Sequence, residues 1–120
     1  MIRYYLIEDN ALIRFHLVEA LEEVTDSTLV GYASGEKEAK LWLTDHPESW
    51  DVLICDLWLS DGSGLGVIEH VRPSEGQRIV VLSNHVTPFI RERCKERRVA
   101  AVFDKSQEVD NFFTYFGALR

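Results

Sequence analysis

The sequence has few cysteines and no long apolar run. Its two cysteines, Cys55 and Cys94, lack the CxxC spacing, and Cys55 lies in an apolar stretch that favours a buried, reduced thiol. No segment approaches the about 18 consecutive apolar residues of a membrane span, and the N-terminus reaches the acidic pair Glu8 and Asp9 without the apolar core of a signal peptide. We therefore expect no membrane insertion, no export and a reducing, cytoplasmic location.

Positive charge is also in short supply. The 120 residues include 13 Lys and Arg against 20 Asp and Glu, which gives a formal net charge of -7. This balance argues against a general attraction to nucleic-acid phosphates, so we expect no direct nucleic-acid contact by this chain. The glycines at 62, 64 and 66 alternate but lack the third spacing of GxGxxG, so they predict a turn into a helix rather than a nucleotide site.

What the sequence does contain is an alternation of short apolar runs and longer segments of helical period. The runs are four or five residues long and rich in β-branched or aromatic types, as is typical of strands covered on both faces. They span residues 4–7, 29–33, 52–55, 79–82 and 100–103. Strand and helix repeated five times predict an α/β fold, a doubly wound parallel sheet with helices on both faces.

The segments between the runs predict helices that pack one face on this sheet. Their apolar residues recur three or four positions apart, which is more often a core stripe than a cofactor box. The stripes are Ile13, Leu17, Leu21 and Val24; Ala39 and Leu43; Leu65, Ile68 and Val71; and Val109, Phe112, Phe113 and Phe116, with Tyr115 and Leu119 on the flanks of the last. No internal repeat or linker interrupts the alternation.

Polar side chains follow four of the five predicted strands. Glu8 and Asp9 come after the first strand, Asp56 after the third, Ser83 after the fourth and Lys105 just after the fifth. Ligands of such sheets bind beyond the carboxyl ends of the strands, so we expect these side chains to converge. Three carboxylates at one edge repel one another unless a cation offsets their charge. An oxygen-only set without paired histidines predicts Mg²⁺ and disfavours zinc.

Asp56 is the predicted nucleophile of this site. It is central, it follows a buried run, and a carboxylate can form an acyl phosphate. Lys105 and Ser83 can hold the oxygens of a transferring phosphoryl group from neighbouring strand ends. A phosphatase with an aspartyl intermediate also uses a strand-end Asp, but it typically has a second Asp two residues later, where this chain has Trp58. A dedicated phosphatase is therefore disfavoured, and transfer of a phosphoryl group to Asp56 is the favoured chemistry.

At this point the sequence resembles the receiver domain of two-component response regulators, over essentially the whole chain. The resemblance is carried by residues 8–10 (EDN), residues 56–65 (DLWLSDGSGL), Ser83 and Lys105. It implies a flavodoxin-like sheet in the order 2-1-3-4-5 with five helices, in a single domain over residues 1–120. In this family the hydroxyl residue reports phosphorylation and the lysine pairs with the phosphoryl group.

The resemblance also implies roles around the metal. Asp56 matches the phosphoacceptor, Asp9 the direct Mg²⁺ ligand, and Glu8 a partner that acts largely through water. The backbone carbonyl of Trp58 would be a further metal ligand. The domain would catalyse its own phosphorylation and dephosphorylation, as a switch more than as a turnover enzyme.

Two positions in the fifth predicted strand and the turn after it depart from the family pattern. The family often has an aromatic switch residue three positions before its lysine, where this chain has Val102, and Phe103 should face the opposite side of the sheet. The family lysine is commonly followed by a cis proline, whereas Ser106 follows Lys105 here, and a cis bond before a residue other than proline costs about 2.5–4 kcal/mol. We therefore expect no cis bond at this point and no aromatic switch.

Trp58 and His85 occupy two positions that vary in the family and flank the phosphoryl site. Both side chains are bulky, and one interpretation is that they restrict the attacking water and so set the lifetime of the acyl phosphate. The alternative is that Trp58 is part of a partner contact at the surface and that His85 is solvated. Both interpretations remain open on the sequence alone.

The resemblance implies three kinds of partner or context. A sensor histidine kinase or histidine phosphotransfer domain would donate the phosphoryl group, and a downstream protein would bind the fourth helix, fifth strand and fifth helix. The basic residues of that fourth helix, between Arg91 and Arg98, are a candidate part of this surface. The chain would be a stand-alone receiver, the receiver portion of a DNA-binding transcription regulator, or a receiver-like interaction module that needs no phosphorylation. A homodimer is left open.

Overall fold

Five strands alternate with five helices in the computed structural model, which describes residues 1–119. The strands are β1 (Ile2–Ile7), β2 (Ser27–Ala33), β3 (Val52–Cys55), β4 (Arg78–Ser83) and β5 (Ala101–Asp104). The helices are α1 (Ala11–Val24), α2 (Glu36–Asp45), α3 (Gly64–His70), α4 (Pro88–Glu96) and α5 (Val109–Gly117). All neighbouring strands are parallel, and the sheet order is β2-β1-β3-β4-β5. The predicted fold class and strand order are confirmed.

Short polar side chains start three of the helices. The side chain of Asn10 accepts hydrogen bonds from the backbone N–H groups of residues 12 and 13 at the start of α1. Ser63 does the same for the N–H of Gly66 in α3, and Thr87 for the N–H of Ile90 in α4, where Pro88 is the first helical residue. Each cap satisfies N–H groups that have no partner inside the helix, so these helices begin at defined residues just past the strand ends.

The core has two layers, one on each face of the sheet. Tyr5 and Ile7 of β1 pack in a cluster with buried side chains of α2, α3 and α4, whereas Tyr4 and Leu6 pack in a second cluster with α1 and α5. Successive strand residues point to opposite faces, so the strands can be apolar throughout. Two helices therefore cover one face of the sheet and three cover the other.

The helical stripes are only partly buried. Leu17 and Leu21 of α1 lie in the core, but Ile13 and Val24 are 41% and 63% exposed, and Val109 of α5 is 38% exposed. The expectation that all of these residues pack on the sheet is therefore wrong for the last three. Each lies in the first or last turn of its helix, so the apolar period identifies the inward face but not how far along the helix the core extends.

Both cysteines are free thiols in the core. Cys55 of β3 is fully buried, as predicted, and Cys94 of α4 is buried in the same cluster. Burial raises the pKa of both thiols, because the thiolate is poorly solvated inside the protein. Within residues 1–119, none of the helices has the length and apolar character needed to cross a bilayer.

Leu21→Ala should destabilise the protein much more than Leu12→Ala in the same helix. Leu21 is fully buried and Leu12 is 66% exposed, so the same truncation leaves a cavity only at residue 21. We expect a loss of about 2–5 kcal/mol in the free energy of unfolding for Leu21→Ala and a change within about 0.5 kcal/mol for Leu12→Ala. Urea unfolding followed by circular dichroism measures both, and equal losses would contradict the two-layer core.

Candidate functional site at the carboxyl ends of the strands

The five residues predicted to converge do so at one edge of the sheet. Glu8 and Asp9 follow β1, Asp56 follows β3, Ser83 ends β4 and Lys105 follows β5. The side chains of Glu8, Asp56 and Ser83 are buried, and that of Lys105 is 14% exposed. Parallel strands place all their carboxyl ends at this edge, which brings together residues as distant in sequence as 8 and 105.

Lys105 is the cation of the site. Its Nζ atom donates a hydrogen bond to Asp56 Oδ2 at 2.9 Å and contacts Glu8 Oε1 as well. Burial lowers the pKa of Lys105, but the hydrogen bonds and charges of the two carboxylates outweigh this effect, so the pKa is raised. The lysine is therefore fully charged at neutral pH and links the ends of β1, β3 and β5.

The carboxylate of Asp56 accepts three hydrogen bonds from described residues. Oδ1 accepts from the Ser83 hydroxyl at 2.6 Å and from the backbone N–H of Trp58 at 3.1 Å, while Oδ2 accepts only from Lys105. The Ser83 oxygen also accepts a hydrogen bond from the N–H of Leu57 at 3.2 Å. This orients the carboxylate firmly, and Oδ2 keeps more free lone-pair capacity than Oδ1.

The three acidic side chains form a cluster that could hold a metal ion. One carboxylate oxygen from each of Glu8, Asp9 and Asp56 lies within 4.8 Å of the others. Asp9 Oδ2 also accepts a hydrogen bond from the N–H of Ser60 at 2.9 Å, which ties this carboxylate to the loop after β3. Lys105 supplies one positive charge against three negative ones. The donor set fits a hard divalent cation that prefers oxygen ligands, such as Mg²⁺.

Gly64 lets the loop after β3 pass close to Asp56. A Cβ atom at Gly64 would lie 2.0 Å from the backbone oxygen of Asp56 and 2.8 Å from the Cα of Leu57. The Gly64 N–H donates to the oxygen of Leu57 at 3.1 Å, so the start of α3 returns onto the two residues after β3. The spacing of the glycines predicts a turn into a helix, but the sequence contains no signal for this contact with the residue at the centre of the site.

Trp58 and His85 lie on the two loops that border the site. The indole Nε1 of Trp58 donates a hydrogen bond to the backbone oxygen of Asn84 at 2.7 Å, although the Trp58 side chain is half exposed. His85 is exposed and has a left-handed backbone conformation, with φ of 54°. The indole therefore connects the loop after β3 to the loop after β4.

Val102 and Ser106 are the two residues in and after β5 that depart from the family pattern. Val102 packs against the cluster that contains Cys94, and Phe103 packs against the cluster on the other face of the sheet, so the expected opposition of these side chains is confirmed. Among residues 1–119 there is no cis peptide bond. After Lys105, Ser106 instead donates its backbone N–H to Asp104 Oδ1 at 2.8 Å.

Comparison with known proteins agrees with the fold. Residues 5–116 match the family described as the response regulator receiver domain. The match covers nearly all of the strands and helices and includes every predicted site residue. The chain therefore belongs to the response regulator receiver domain family.

The chain is similar to parts of proteins with different names. The virulence transcriptional regulatory protein PhoP of Salmonella typhimurium is 37% identical over 75 residues, which are 62% of this chain and 32% of PhoP. The cyclic di-GMP phosphodiesterase RocR of Pseudomonas aeruginosa is 32% identical over 87 residues, 72% of this chain and 22% of RocR. The non-phosphorylated HemR receiver domain of Leptospira biflexa has the same fold, with a TM-score of 0.83, 23% identity and coverage of 100% of this chain and 97% of that one. The chain spans a third or less of both curated relatives.

Gly64→Ala should disturb the site and destabilise the protein, because the new methyl group would collide with backbone atoms rather than with a flexible side chain. We expect a loss of about 1–3 kcal/mol in the free energy of unfolding, as for other overpacking substitutions. Gly117→Ala is the control, since a Cβ there would meet Thr25 Cγ2 at an ordinary 3.8 Å. Thermal unfolding of both variants measures the difference, and equal stability would contradict the close approach.

Proposed function

We propose that this receiver domain takes a phosphoryl group from a phosphohistidine onto Asp56 and that the phosphorylated form changes a protein-binding surface. The observation that carries the proposal is the buried carboxylate of Asp56, held between the Lys105 ammonium and the Ser83 hydroxyl beside two further carboxylates. A carboxylate with a purely structural role would gain nothing from acidic neighbours, because like charges disfavour its ionised form. The three carboxylates concentrate negative charge around Asp56. An anionic phosphoryl group could therefore approach Asp56 only with a metal cation that offsets this charge.

In the transfer, an oxygen of Asp56 forms a bond to phosphorus while the bond between phosphorus and the histidine nitrogen breaks. The electron pair of that bond leaves with the imidazole. Oδ2 is the better nucleophile of the two oxygens, because Oδ1 already accepts two hydrogen bonds from described residues. Lys105 donates to Oδ2, so its ammonium can donate to the phosphoryl oxygens after transfer and stabilise their negative charge.

Mg²⁺ fits this mechanism as the dication that neutralises the acidic cluster and the phosphoryl oxygens. Asp9 and Asp56 would hold it directly, Glu8 largely through water, and the backbone carbonyl of Trp58 would complete the protein ligands. Glu8 also contacts Lys105, so its carboxylate would remain shared between the lysine and the metal water. The site thus has carboxylates to bind the metal ion, and Lys105 to neutralise part of the negative charge of the phosphoryl group.

The partners follow from the same proposal. A sensor histidine kinase or a histidine phosphotransfer domain would be the donor, in the cytoplasm, and a downstream protein would bind the face formed by α4, β5 and α5. Residues 1–120 would form one receiver domain, either alone or as the receiver portion of a DNA-binding transcription regulator. The similarity to PhoP, a transcriptional regulatory protein, favours the second arrangement over a stand-alone domain.

Titration with Mg²⁺ and then with beryllofluoride, a phosphoryl mimic, should change the tryptophan fluorescence in two steps. Trp58 is the expected reporter, because its backbone N–H donates to Asp56 Oδ1 and its indole spans the two site loops. Asp56→Asn should abolish the beryllofluoride step, and Asp9→Asn should weaken the Mg²⁺ step at least tenfold. Trp58→Phe should remove most of the signal, since the other two tryptophans lie away from these loops.

A receiver-like module that works without phosphorylation would give a different result. It would show no beryllofluoride step in the wild-type protein and no acyl phosphate in mass spectra after incubation with phosphoramidate and Mg²⁺. Unchanged amide shifts around Asp9 and Asp56 at millimolar Mg²⁺ would establish the failure without relying on fluorescence.

We further propose that Trp58 and His85 limit the access of water to the acyl phosphate. The hydrogen bond from the Trp58 indole to the backbone oxygen of Asn84 supports this role, because it keeps a bulky side chain on the loops beside Asp56, where bulk would obstruct in-line attack by water. Trp58→Ala and His85→Ala should each accelerate dephosphorylation severalfold, whereas Phe89→Ala, an exposed residue in the first turn of α4, should not. Loss of phosphate from the purified phosphoprotein measures the rates, and rates equal to wild type would favour a partner contact for Trp58.

A further inference from the structure

Asp104 closes the turn that carries Lys105. It is the last residue of β5, and its Oδ1 atom accepts hydrogen bonds from the N–H and the hydroxyl of Ser106 at 2.8 and 2.5 Å. These bonds lower the pKa of the Asp104 carboxyl, so it is ionised at neutral pH. The Asp104 carboxylate therefore fixes the turn around Lys105.

Glu108 connects this turn to the start of α5. Its Oε1 atom accepts the N–H of Asp104 at 2.9 Å, while its own N–H donates to the oxygen of Asp104 at 2.7 Å. The same Oε1 atom accepts from a guanidinium nitrogen of Arg91 at 2.5 Å. The turn that holds Lys105 is thus fixed at both ends by one glutamate.

Arg91 brings α4 into the same set of contacts. One guanidinium nitrogen donates to Glu108, and the other donates to the backbone oxygen of Val102 at 3.2 Å. The planar fork of an arginine can reach a carboxylate and a carbonyl at once, which the single ammonium of a lysine does much less well. Arg91 therefore joins α4, β5 and the residue that precedes α5, and its contact with β5 is at residue 102, where the family often has its aromatic residue.

We propose that Arg91, Asp104 and Glu108 are positioning residues that link the turn after β5, and through it the Asp56 site, to α4, in place of an aromatic side chain at residue 102. The inference rests on the proposed phosphorylation of Asp56. When that group is added, Lys105 and Ser83 exchange the carboxylate for phosphoryl oxygens. Both residues lie on segments bound by Asp104, because Ser83 is paired with Asp104 in the sheet and Lys105 N–H donates to the oxygen of Ser83 at 3.0 Å.

The connection acts on conformation more than on stability. The Arg91 and Glu108 side chains are 43% and 30% exposed, and an ion pair at such a position contributes little to the free energy of unfolding. The hydrogen bonds of Glu108 nevertheless connect the Lys105 turn to α4. A displacement of this turn would therefore also displace Glu108 and Arg91, which is bonded to it. Removing either partner should leave the fold and the site intact while separating α4 from the site.

Amide NMR with Mg²⁺ and beryllofluoride tests the link. In the wild-type protein we expect shifts both at the site, at Ser83 and Lys105, and along α4. In Arg91→Met and Glu108→Ala, the site amides should still shift at saturation, whereas the α4 shifts should fall by more than half. Arg91→Lys should behave like Arg91→Met, because charge without the fork is not enough.

Arg93→Gln is the matched control on the same helix. Arg93 pairs weakly with Glu69 at 3.9 Å and lies over the Phe89 ring, away from β5 and α5, so this variant should retain the wild-type α4 shifts. Wild-type α4 shifts in both Arg91→Met and Glu108→Ala would overturn the inference, as would loss of the site shifts together with the α4 shifts. Absence of any site shift in the wild-type protein would instead overturn the proposed function itself.

Discussion

The contact of one buried ammonium with two carboxylates determines how the ends of the strands are arranged. Lys105 lies between Glu8 and Asp56, which follow two adjacent strands of the sheet, and it approaches them from the end of β5. Without this cation, the two buried carboxylates would repel each other at the end of the core. The rest of the site then takes its place around the fixed carboxylate of Asp56, with Ser83 on one of its oxygens and the lysine on the other.

The loops between strand and helix complete the site through backbone contacts that depend on small residues and caps. Gly64 allows the start of α3 to pass against the oxygen of Asp56, and Ser63 caps that helix one residue earlier. On the other side, the Asp104 carboxylate accepts from Ser106 where the family commonly has a proline. Both loops are therefore held by hydrogen bonds and close backbone contacts beside the reactive groups of the site.

The sequence predicts the fold and the central residues well because these depend on patterns within short segments. Buried parallel strands appear in the sequence as apolar runs. Asp56 and Ser83 follow such a run directly, and Lys105 lies two residues after one. The contacts that the sequence did not predict join distant segments: Gly64 with the backbone of Asp56, and Arg91 with Glu108 and Val102. The burial of Ile13 was predicted wrongly, since helical period specifies a face of α1 but not the extent of the surface that covers it.

The burial of both thiols protects them from oxidation. Oxidation by peroxide and exchange with disulfides require an accessible thiolate, and neither Cys55 nor Cys94 provides one, because each is buried and has a raised pKa. Peroxide should therefore leave the protein unmodified at these two positions as long as it stays folded. A single cysteine introduced at an exposed position of α4 would consequently react selectively with a maleimide dye, without replacement of the native thiols.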